Sequence, residues 1–222
     1  MTNVARASTD RTGNGIADSC LTGSYRACTD LSRSWRRLMG YVFDPARVCE
    51  ISKMSIGLPH PEIFQVITNE LARSFPGRIT TEPEWFFNNA GGAMGMLTIL
   101  YASWKEYLIF FGTPIGTTGH TGRYSFIEDH CFLLDGEMWY YAAGQTEKTV
   151  YRPGDTIYLG KGQAKCYCIV DHAWILEYAR GPIPTMLPFG LADSLFSTLD
   201  YKTVFRTCRI YGKHVIRNTF RR

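Results

Sequence analysis

The sequence predicts an α+β protein, mainly β, in which helices flank a closed or sandwiched antiparallel sheet. Three observations carry this prediction. Helical apolar spacing is confined to residues 44–75 and to the chain after Gly181. Short runs of strand-forming residues fill residues 80–181, and Gly, Pro, Asn and Asp punctuate them. With 222 residues and 45% hydrophobic content, the chain is long enough to bury one large core.

Composition argues against several classes of protein. The net charge of +4 comes without a long Lys/Arg block, so the sequence predicts no nucleic-acid partner. The seven cysteines are an odd number and form no C-x-x-C pair, which argues against a zinc site and a dense disulfide framework. No stretch reaches the roughly 18 apolar residues of a membrane-spanning helix. The N-terminus lacks the apolar core of a secretory signal.

The chain divides into a polar segment, residues 1–40, and a domain, residues 41–222. The first segment has too few large apolar residues to offset the entropy of ordering, so it is predicted to be largely unordered. In the domain, Asp44-Pro45 predicts the start of one helix, because Asp caps and Pro suits the first turn. A second helix is predicted from Pro61 to Pro76-Gly77, with apolar residues at helical spacing.

Residues 80–181 are predicted to form the barrel. Asn88–Gly92 is interpreted as a loop, because its glycines permit close backbone approach. The turn Arg152-Pro153-Gly154-Asp155 is of the kind found in jelly-roll and cupin barrels, which makes the predicted sheet a cupin-like β-barrel. The predicted strands are Met96–Tyr101, Glu106–Gly112, Gly122–Ile127, Cys131–Tyr141, Thr149–Tyr151, Thr156–Leu159, Ala164–Val170 and Trp174–Arg180.

A cupin-like barrel raises the question of a metal. The five histidines (60, 120, 130, 172 and 214) are scattered, and no His-x-His or His-x-x-x-Glu spacing on one strand supplies a converging set. The sequence therefore predicts no metal site. His120, within Gly119-His120-Thr121-Gly122, is assigned a loop role.

The last predicted strand carries one carboxylate in an apolar run. Large apolar residues alternate on both sides of Glu177, which predicts a strand covered on both faces and an acid held in a water-poor space. Burial without a cation raises a carboxyl pKa, so Glu177 could hold a proton near neutral pH or sit ionised beside a bound cation. The alternative is a structural Glu177, hydrogen-bonded to a neighbouring strand or paired with Arg180.

A second acid would complete a proton-transfer site. Glu128-Asp129 begins another predicted strand, and one of the two could reach the same apolar cavity. Two carboxyls in such a cavity can add a proton to one carbon and remove one from another, with the intermediate carbocation stabilised by carboxylate charge and aromatic faces. The alternative is that both acids are solvated turn residues.

Two amphipathic helices are predicted after Gly181. The first presents an apolar face that includes Phe189 and Phe196, and Asp200 is predicted to cap the second. The second helix could lie in the head-group layer of a membrane or cover the barrel mouth. It is predicted to place a basic stripe (Arg206, Arg209, Lys213, Arg217, Arg221) opposite an apolar one (Val204, Phe205, Cys208, Tyr211, Val215, Ile216).

Five segments of the chain resemble the sterol Δ8–Δ7 isomerase family, which includes the sigma non-opioid receptor. The resemblance covers roughly residues 41–215 and is closer to the isomerase branch in FFNNAGGAMG and EYARG. The segments are PEWFFNNAGGAMG (83–95), EYLIFFGT (106–113), GHTG (119–122), LEYARG (176–181) and IPTMLPFG (183–190).

This resemblance implies a cupin-like barrel, residues 80–181, capped by two membrane-facing helices in residues 187–222. It implies a homo-oligomer, a trimer, located peripherally or monotopically at the endoplasmic reticulum membrane. The implied activity is cofactor-free isomerisation of a sterol substrate in ergosterol-type biosynthesis, by protonation at carbon 9 and proton loss from carbon 7. The alternatives are a sigma-receptor-like, non-catalytic binder of cationic amphiphiles and sterols, or a lipid carrier.

The resemblance also assigns residues. Glu177 is implied to be the principal acid/base, and Asp193 to have a structural role on the first C-terminal helix. The stretch from Tyr124 to Gly136 is one residue longer than in the family, so the second acid is Asp129 or, alternatively, Glu128. Family members typically begin with a hydrophobic anchor, whereas residues 1–40 here are polar. The implied substrate-binding residues are Leu97, Ile99, Tyr107, Ile109, Phe111, Trp174, Leu187 and Tyr211.

Overall fold

Eight antiparallel strands form the centre of the described part of the chain, residues 40–220, in a computed structural model. Chain contacts divide the protein between Tyr41 and Val42, and the architecture below is that of the second unit. The segment predicted to be unordered lies outside the described residues up to position 39.

Two helices precede the sheet. Helix α1 is Pro45–Lys53, and the Asp44 side chain caps it by accepting a hydrogen bond from Ala46 N at 3.1 Å, as predicted. Helix α2 is His60–Ser74, and it begins one residue before the predicted Pro61. Several of their apolar residues, among them Ile51 and Ile67, are fully buried in the cluster on one side of the sheet, so this pair covers one of its faces.

The strands follow one hydrogen-bonded path, β1-β2-β3-β8-β5-β6, with β4 paired to β8 and β7 to β5. Strands β5 and β8 lie side by side over most of their length and give the sheet its centre. The sheet curls around an internal pocket, which confirms the predicted mainly β, cupin-like barrel. The strands are β1 Phe86–Ala90, β2 Ala93–Ala102, β3 Glu106–Thr113, β4 Thr117–His120, β5 Glu128–Tyr141, β6 Thr149–Tyr151, β7 Thr156–Leu159 and β8 Cys166–Arg180.

Two strand predictions are wrong because pairing overrides local propensity. The predicted loop Asn88–Gly92 contains the end of β1, which pairs with β2 across a tight turn at Gly91-Gly92. The predicted strand Gly122–Ile127 is not a strand. Its place is taken by β4, Thr117–His120, because that segment pairs with the first part of β8.

The two predicted strands before Gly181 are one strand, β8. Asp171 and His172 read as a break in the sequence, and β8 runs through them as one strand although they have no partner on β5. The β5–β8 ladder is interrupted there, between the pairs Gly136–Ala173 and Met138–Ile169. A second irregularity, between Leu133 and Asp135, adds one residue to β5, and such a bulge changes which face the following side chains of that strand occupy.

The two faces of the sheet bury different clusters. Trp174, Leu176 and Tyr178 face the side of helices α1 and α2, whereas Ile175 and Ala179 face the inside of the barrel. All five are buried, so β8 is covered on both faces, as its apolar run predicted. The inside of the barrel is therefore the space into which Glu177 points.

A short 3₁₀ turn, Ile183–Met186, leads into two C-terminal helices, α3 (Leu187–Phe196) and α4 (Tyr201–Thr219). Asp200 caps α4 by accepting a hydrogen bond from Thr203 N at 3.0 Å, as predicted. Asp193 on α3 accepts a hydrogen bond from Gly92 N at 2.7 Å and so ties α3 to the β1–β2 turn. Among the described residues, no helix combines the length and apolarity needed to cross a bilayer.

Part of the predicted basic stripe of α4 is paired with protein. Arg206 and Arg209 lie 2.7 Å and 3.6 Å from the Glu84 carboxylate, and Arg217 donates to the Arg78 carbonyl at 3.2 Å. These cations bind the segment that precedes β1, while Lys213 is exposed. Large apolar residues are also exposed on and beside α3 and α4: Phe196, Leu199, Tyr201, Phe205, Ile216 and Phe220. Arg221 lies outside the described residues.

Candidate active site

The barrel encloses an apolar pocket. Strands β2, β3, β5 and β8 supply its walls, and the 3₁₀ turn with α3 and α4 surrounds its opening. Most of the lining is aliphatic or aromatic, and two carboxyls interrupt it. Of the residues implied to bind substrate, those on the lining are Leu97, Ile99, Tyr107, Ile109, Phe111, Leu187 and Tyr211.

Glu177 projects into this pocket from β8. Its neighbours across the ladders are Ile109 on β3 and Cys131 on β5. The accessible surface of the Glu177 side chain faces the pocket, and the pocket itself lies inside the protein. The Tyr107 hydroxyl donates a short hydrogen bond to Glu177 Oε1. Burial raises the pKa of the Glu177 carboxyl, while the hydrogen bond from Tyr107 opposes that rise.

Asp129 enters the same pocket from β5. Only 7% of its surface is exposed, and its Oδ1 atom has no hydrogen-bond partner among the described residues. Its Oδ2 atom lies 3.9 Å from Cys131 Sγ. The pKa of Asp129 is well above its ordinary value, first because of burial and then because of the Glu177 charge. This Oδ1 atom is therefore available to contact a molecule bound in the pocket.

The two carboxyls lie close together in the pocket. A carboxyl oxygen of Asp129, the Cys131 sulfur and a carboxyl oxygen of Glu177 all lie within 4.8 Å of one another. At that separation in an enclosed space, ionising both acids at once is unfavourable, so the titration of one depends on the charge of the other.

Glu128, the alternative second acid, lies elsewhere. It alternates with Asp129 along β5 and does not line the pocket. Its Oε2 atom is 2.5 Å from Arg180 Nη2 and accepts a hydrogen bond from Arg180 Nε at 2.7 Å. The structure thus places Asp129 in the pocket. It also contradicts the reading in which Arg180 pairs with Glu177, because Arg180 pairs with Glu128.

Trp174 does not line the pocket, so its predicted location is wrong. Its ring lies 5.1 Å from that of Phe64 on α2 and 5.7 Å from that of Trp85, measured between centroids. Strand alternation explains this position: Trp174 and Glu177 are three residues apart and so face opposite sides of β8. Trp174 belongs to the core between helix α2 and the sheet.

Several pocket residues were missed by the sequence analysis. Tyr124 and His120 border the pocket, and His120 ends β4, where its Nδ1 atom accepts a hydrogen bond from Gly122 N at 3.0 Å. His120 is thus a strand residue at the pocket, not only a loop residue. Tyr140 and Tyr167 stack there with ring centroids 5.5 Å apart. Tyr124 could have been predicted as a pocket residue, because it lies two residues after the GHTG segment, residues 119–122.

Within residues 40–220, two groups of side chains have the geometry to hold an ion. In the pocket, the raised pKa values of Asp129 and Glu177 favour bound protons over a cation. On the outer face, His60 and His172 both contact Asp135. The prediction that the scattered histidines do not converge is therefore wrong, because helix α2 and strand β8 bring two of them to one carboxylate.

Fold and site together define the class: a cupin-like barrel protein whose apolar interior holds a coupled pair of carboxyls. A family model confirms and narrows this class. The model described as "ERG2 and Sigma1 receptor like protein" matches residues 21–222, and the chain belongs to that family.

Curated relatives fall into two groups. The chain is 42% identical over 186 residues to "C-8 sterol isomerase erg2" of Aspergillus fumigatus, covering 82% of this chain and 77% of the relative. It is 44% identical over 183 residues to "C-8 sterol isomerase" of Neurospora crassa, covering 80% and 71%. It is 39% identical over 191 residues to "Sigma non-opioid intracellular receptor 1" of Xenopus tropicalis, covering 85% and 86%.

Solved structures give a weaker likeness. The polyketide cyclase RemF of Streptomyces resistomycificus matches with a TM-score of 0.37 and 15% identity, covering 41% of this chain and 68% of that one. A putative ethanolamine utilization protein from Salmonella typhimurium matches with a TM-score of 0.37 and 16% identity, covering 48% and 99%.

Proposed function

We propose that this protein is a sterol Δ8–Δ7 isomerase of ergosterol-type sterol biosynthesis. The observation that carries the proposal is the pair of enclosed carboxyls, Asp129 and Glu177, within 4.8 Å of each other in an apolar pocket. The relatives named C-8 sterol isomerase, at 42–44% identity, support it. A hydrocarbon ring system suits the apolar lining, and the acid pair suits a reaction that only moves a proton and a double bond.

The reaction needs one acid and one base. The neutral carboxyl donates its proton to carbon 9 of the Δ8 double bond, whose electron pair forms the new C–H bond and leaves positive charge at carbon 8. The ionised carboxylate then takes a proton from carbon 7, and that C–H electron pair forms the double bond between carbons 7 and 8. The pair ends with one proton, as it began, so the residues require no cofactor for this balance.

The pocket stabilises the carbocation between these steps. While the carbocation exists both acids are ionised, and their negative charge lies beside it in a space that excludes water, where electrostatic attraction is strong. The aromatic faces of Phe111 and Tyr124, which border the pocket, add cation–π attraction. The hydrogen bond from Tyr107 fixes the orientation of the Glu177 carboxyl. The predicted lining residues other than Trp174 are proposed to hold the sterol.

The exposed apolar side of α3 and α4 is proposed to contact the endoplasmic reticulum membrane peripherally or monotopically. Phe196 and Phe220 are 82% and 80% exposed, and both flank the helices that surround the pocket opening. Large apolar groups gathered on one exposed side mark a membrane or protein interaction surface. A sterol could then pass from lipid to pocket. We propose the homo-oligomer, a trimer, on the family resemblance alone.

Turnover of a Δ8-sterol in deuterated water tests the activity. Membrane-reconstituted protein should yield Δ7-sterol with deuterium at carbon 9, since the enclosed pair exchanges its proton with solvent between turnovers. Glu177→Gln and Asp129→Asn should each lower kcat by at least about 100-fold, because each removes a proton-transfer group. Glu128→Gln, a neighbouring carboxyl outside the pocket, is the matched control and should retain kcat. Full activity of Glu177→Gln would refute the assignment.

The second candidate is a sigma-receptor-like binder of cationic amphiphiles and sterols. The relative from Xenopus tropicalis named as a sigma receptor, at 39% identity, favours it. An ammonium ligand could pair with the ionised Glu177 without chemistry, and the same ligand would bind an isomerase because it resembles the carbocation. Binding therefore does not separate the two. Rescue of a sterol-isomerase-deficient cell does: growth with Δ7-sterol accumulation supports the enzyme, and its absence with intact amine binding supports the receptor.

A further inference from the structure

Three metal-binding groups converge on the outer face of the barrel, where helix α2 meets strands β5 and β8. His60 Nε2 lies 2.5 Å from Asp135 Oδ2, and His172 Nε2 lies 3.1 Å from the same oxygen. The three atoms all lie within 4.8 Å of one another. Ligand atoms around a tetrahedral zinc ion lie roughly 3.3–3.6 Å apart, as bonds of roughly 2.0–2.2 Å require, so side-chain rotations that move His60 and Asp135 slightly apart would centre an ion among the three.

The backbone brings these side chains together. Asp135 sits between the two register irregularities of β5, directly opposite Trp174 on β8. Gly136 follows with φ +87°, and a Cβ atom there would lie 2.0 Å from the His172 carbonyl oxygen. The absence of a side chain at Gly136 thus lets the bulged strand approach His172 closely. His60 comes from the opposite direction, at the first residue of α2, between Pro59 and Pro61.

A second carboxylate orients one of the histidines. His172 Nδ1 lies 3.0 Å from Asp171 Oδ2, while its Nε2 atom faces Asp135. In metal sites a carboxylate commonly holds the ring nitrogen that does not bind the ion, which fixes the tautomer and the ring direction. Asp171 already contacts the Nδ1 atom of His172, and the Nε2 atom of the same ring is left to bind an ion.

The site is open to water on one side. The side chains of His60, Asp135 and His172 are 45%, 34% and 34% exposed, so an ion could enter and keep water ligands. Two imidazole nitrogens and one carboxylate oxygen suit zinc and its neighbours among the divalent transition metals. Magnesium and calcium prefer oxygen ligands throughout. None of the three residues lines the catalytic pocket.

We propose that His60, Asp135 and His172 bind one divalent transition-metal ion, such as zinc, on the outside of the barrel. The ion joins the start of α2 to the β5–β8 ladder, two parts of the chain that are 75 residues apart at His60 and Asp135. Its role is to stabilise the packing of α2 on the barrel, because an ion that binds only the folded arrangement favours folding. This inference does not rest on the isomerase activity.

Zinc titration of the full chain, free of any histidine tag and stripped with chelator, tests the site. Calorimetry should show one zinc per chain, and the melting temperature should rise with zinc but not with magnesium. Cobalt(II) should give a d–d spectrum without a thiolate charge-transfer band. Asp135→Asn and His172→Asn should abolish binding, and Asp171→Asn should weaken it about 10- to 100-fold.

Glu177→Gln is the matched control, because it disables the other group of possible ligands, in the pocket, and should bind zinc as the unmodified protein does. The proposal is overturned if the unmodified protein binds no zinc, which would leave a His–Asp–His hydrogen-bonded cluster only. It is also overturned if Asp135→Asn and His172→Asn, folded by circular dichroism, bind zinc with unchanged affinity.

Discussion

One tyrosine hydroxyl distinguishes the two carboxyls of the candidate site. Burial raises the pKa of Glu177, and the hydrogen bond from Tyr107 opposes that rise by favouring the ionised carboxylate. Asp129 has no comparable donor from a side-chain hydroxyl among the described residues, and its pKa rises well above the ordinary carboxyl range. This difference in hydrogen bonding is what the proposed pairing of a proton donor with a proton acceptor would use.

Tyr107→Phe should move the pH dependence of the isomerase upward. Without the hydroxyl, the Glu177 pKa rises further, because the group that favoured its ionised form is gone. The limb of the kcat/KM profile that reports Glu177 should shift to higher pH, with a fall in kcat at neutral pH. Steady-state assays with a Δ8-sterol across the pH range measure both. A change in KM with an unmoved profile would mean that Tyr107 only contacts the sterol.

At the scale of the elements, strand β5 shows how an irregularity re-aims side chains. Asp129 and Cys131 face the pocket at odd positions, while Met138 and Tyr140 face it at even positions. The one extra β5 residue between Leu133 and Asp135 accounts for this switch, because the irregularity between Gly136 and Met138 adds its residues to β8. The same bulge places Asp135 beside His172.

Gly136→Ala should lower stability more than Gly144→Ala. Both glycines have left-handed backbone, with φ of +87° and +86°, so both variants carry about 1–2 kcal/mol of conformational strain. Only at Gly136 would the new Cβ atom meet a neighbour, the His172 carbonyl oxygen at 2.0 Å, whereas the space at Gly144 is open. Urea unfolding of both variants separates the clash from the strain. Equal losses would show that the bulge relaxes freely.

Helices α3 and α4 expose large apolar side chains, and Phe205 and Ile216 belong to the apolar stripe that the sequence predicted on α4. Phe205→Asp should weaken binding to neutral phospholipid vesicles by about 10- to 100-fold, since burying one Phe in lipid contributes roughly 1.5–3 kcal/mol. The fold should persist because Phe205 is 71% exposed. Vesicle co-sedimentation measures the loss.

Phe126→Asp is the matched control for Phe205→Asp, as Phe126 is 65% exposed and lies in the segment between β4 and β5, outside both C-terminal helices. Its vesicle binding should equal that of the unmodified protein. Binding that disappears in moderate salt and ignores Phe205→Asp would instead favour the basic residues of α4.

For the molecule as a whole, the carboxyl pair makes the free energy of unfolding fall as the pH rises. Raised pKa values mean that the folded protein binds more protons than the unfolded chain does. Stability is therefore lost between the unfolded pKa of an ordinary carboxyl and the higher folded pKa, and each unit of upward shift corresponds to about 1.4 kcal/mol. The candidate site is thus maintained at the expense of stability, as active sites commonly are.

Asp129→Asn should raise the free energy of unfolding at neutral pH by roughly 1–2 kcal/mol, and the melting temperature with it. The reason is that the substitution removes the enclosed acid whose ionised form is least favoured. The gain should grow as pH rises above the ordinary carboxyl range and vanish at acidic pH. Thermal unfolding at several pH values measures this dependence. Glu128→Gln, which removes the partner of Arg180, should give no gain at any of these pH values. A pH-independent effect of Asp129→Asn would contradict the raised pKa.

Much of the fold was predictable because the relevant signals are local. Helical spacing, the caps at Asp44 and Asp200, and the turn before β7 are read from a few adjacent residues, and the structure confirms each. Strands β1 and β4 were missed because their residues favour turns. They become strands through partners supplied by β2 and β8.

The sequence by itself determined that a barrel flanked by helices would form and that Glu177 would stand on a strand covered on both faces. The tertiary structure decided that Asp129 and not Glu128 shares its pocket, that Trp174 lies outside, and that α4 turns its cations toward Glu84. The physical reason is that the apolar periodicity that predicts helices and strands depends only on residues adjacent in the sequence. The face and partner of a side chain depend on the register of strands far apart in the chain, and the bulges of β5 change that register without an unambiguous local signal.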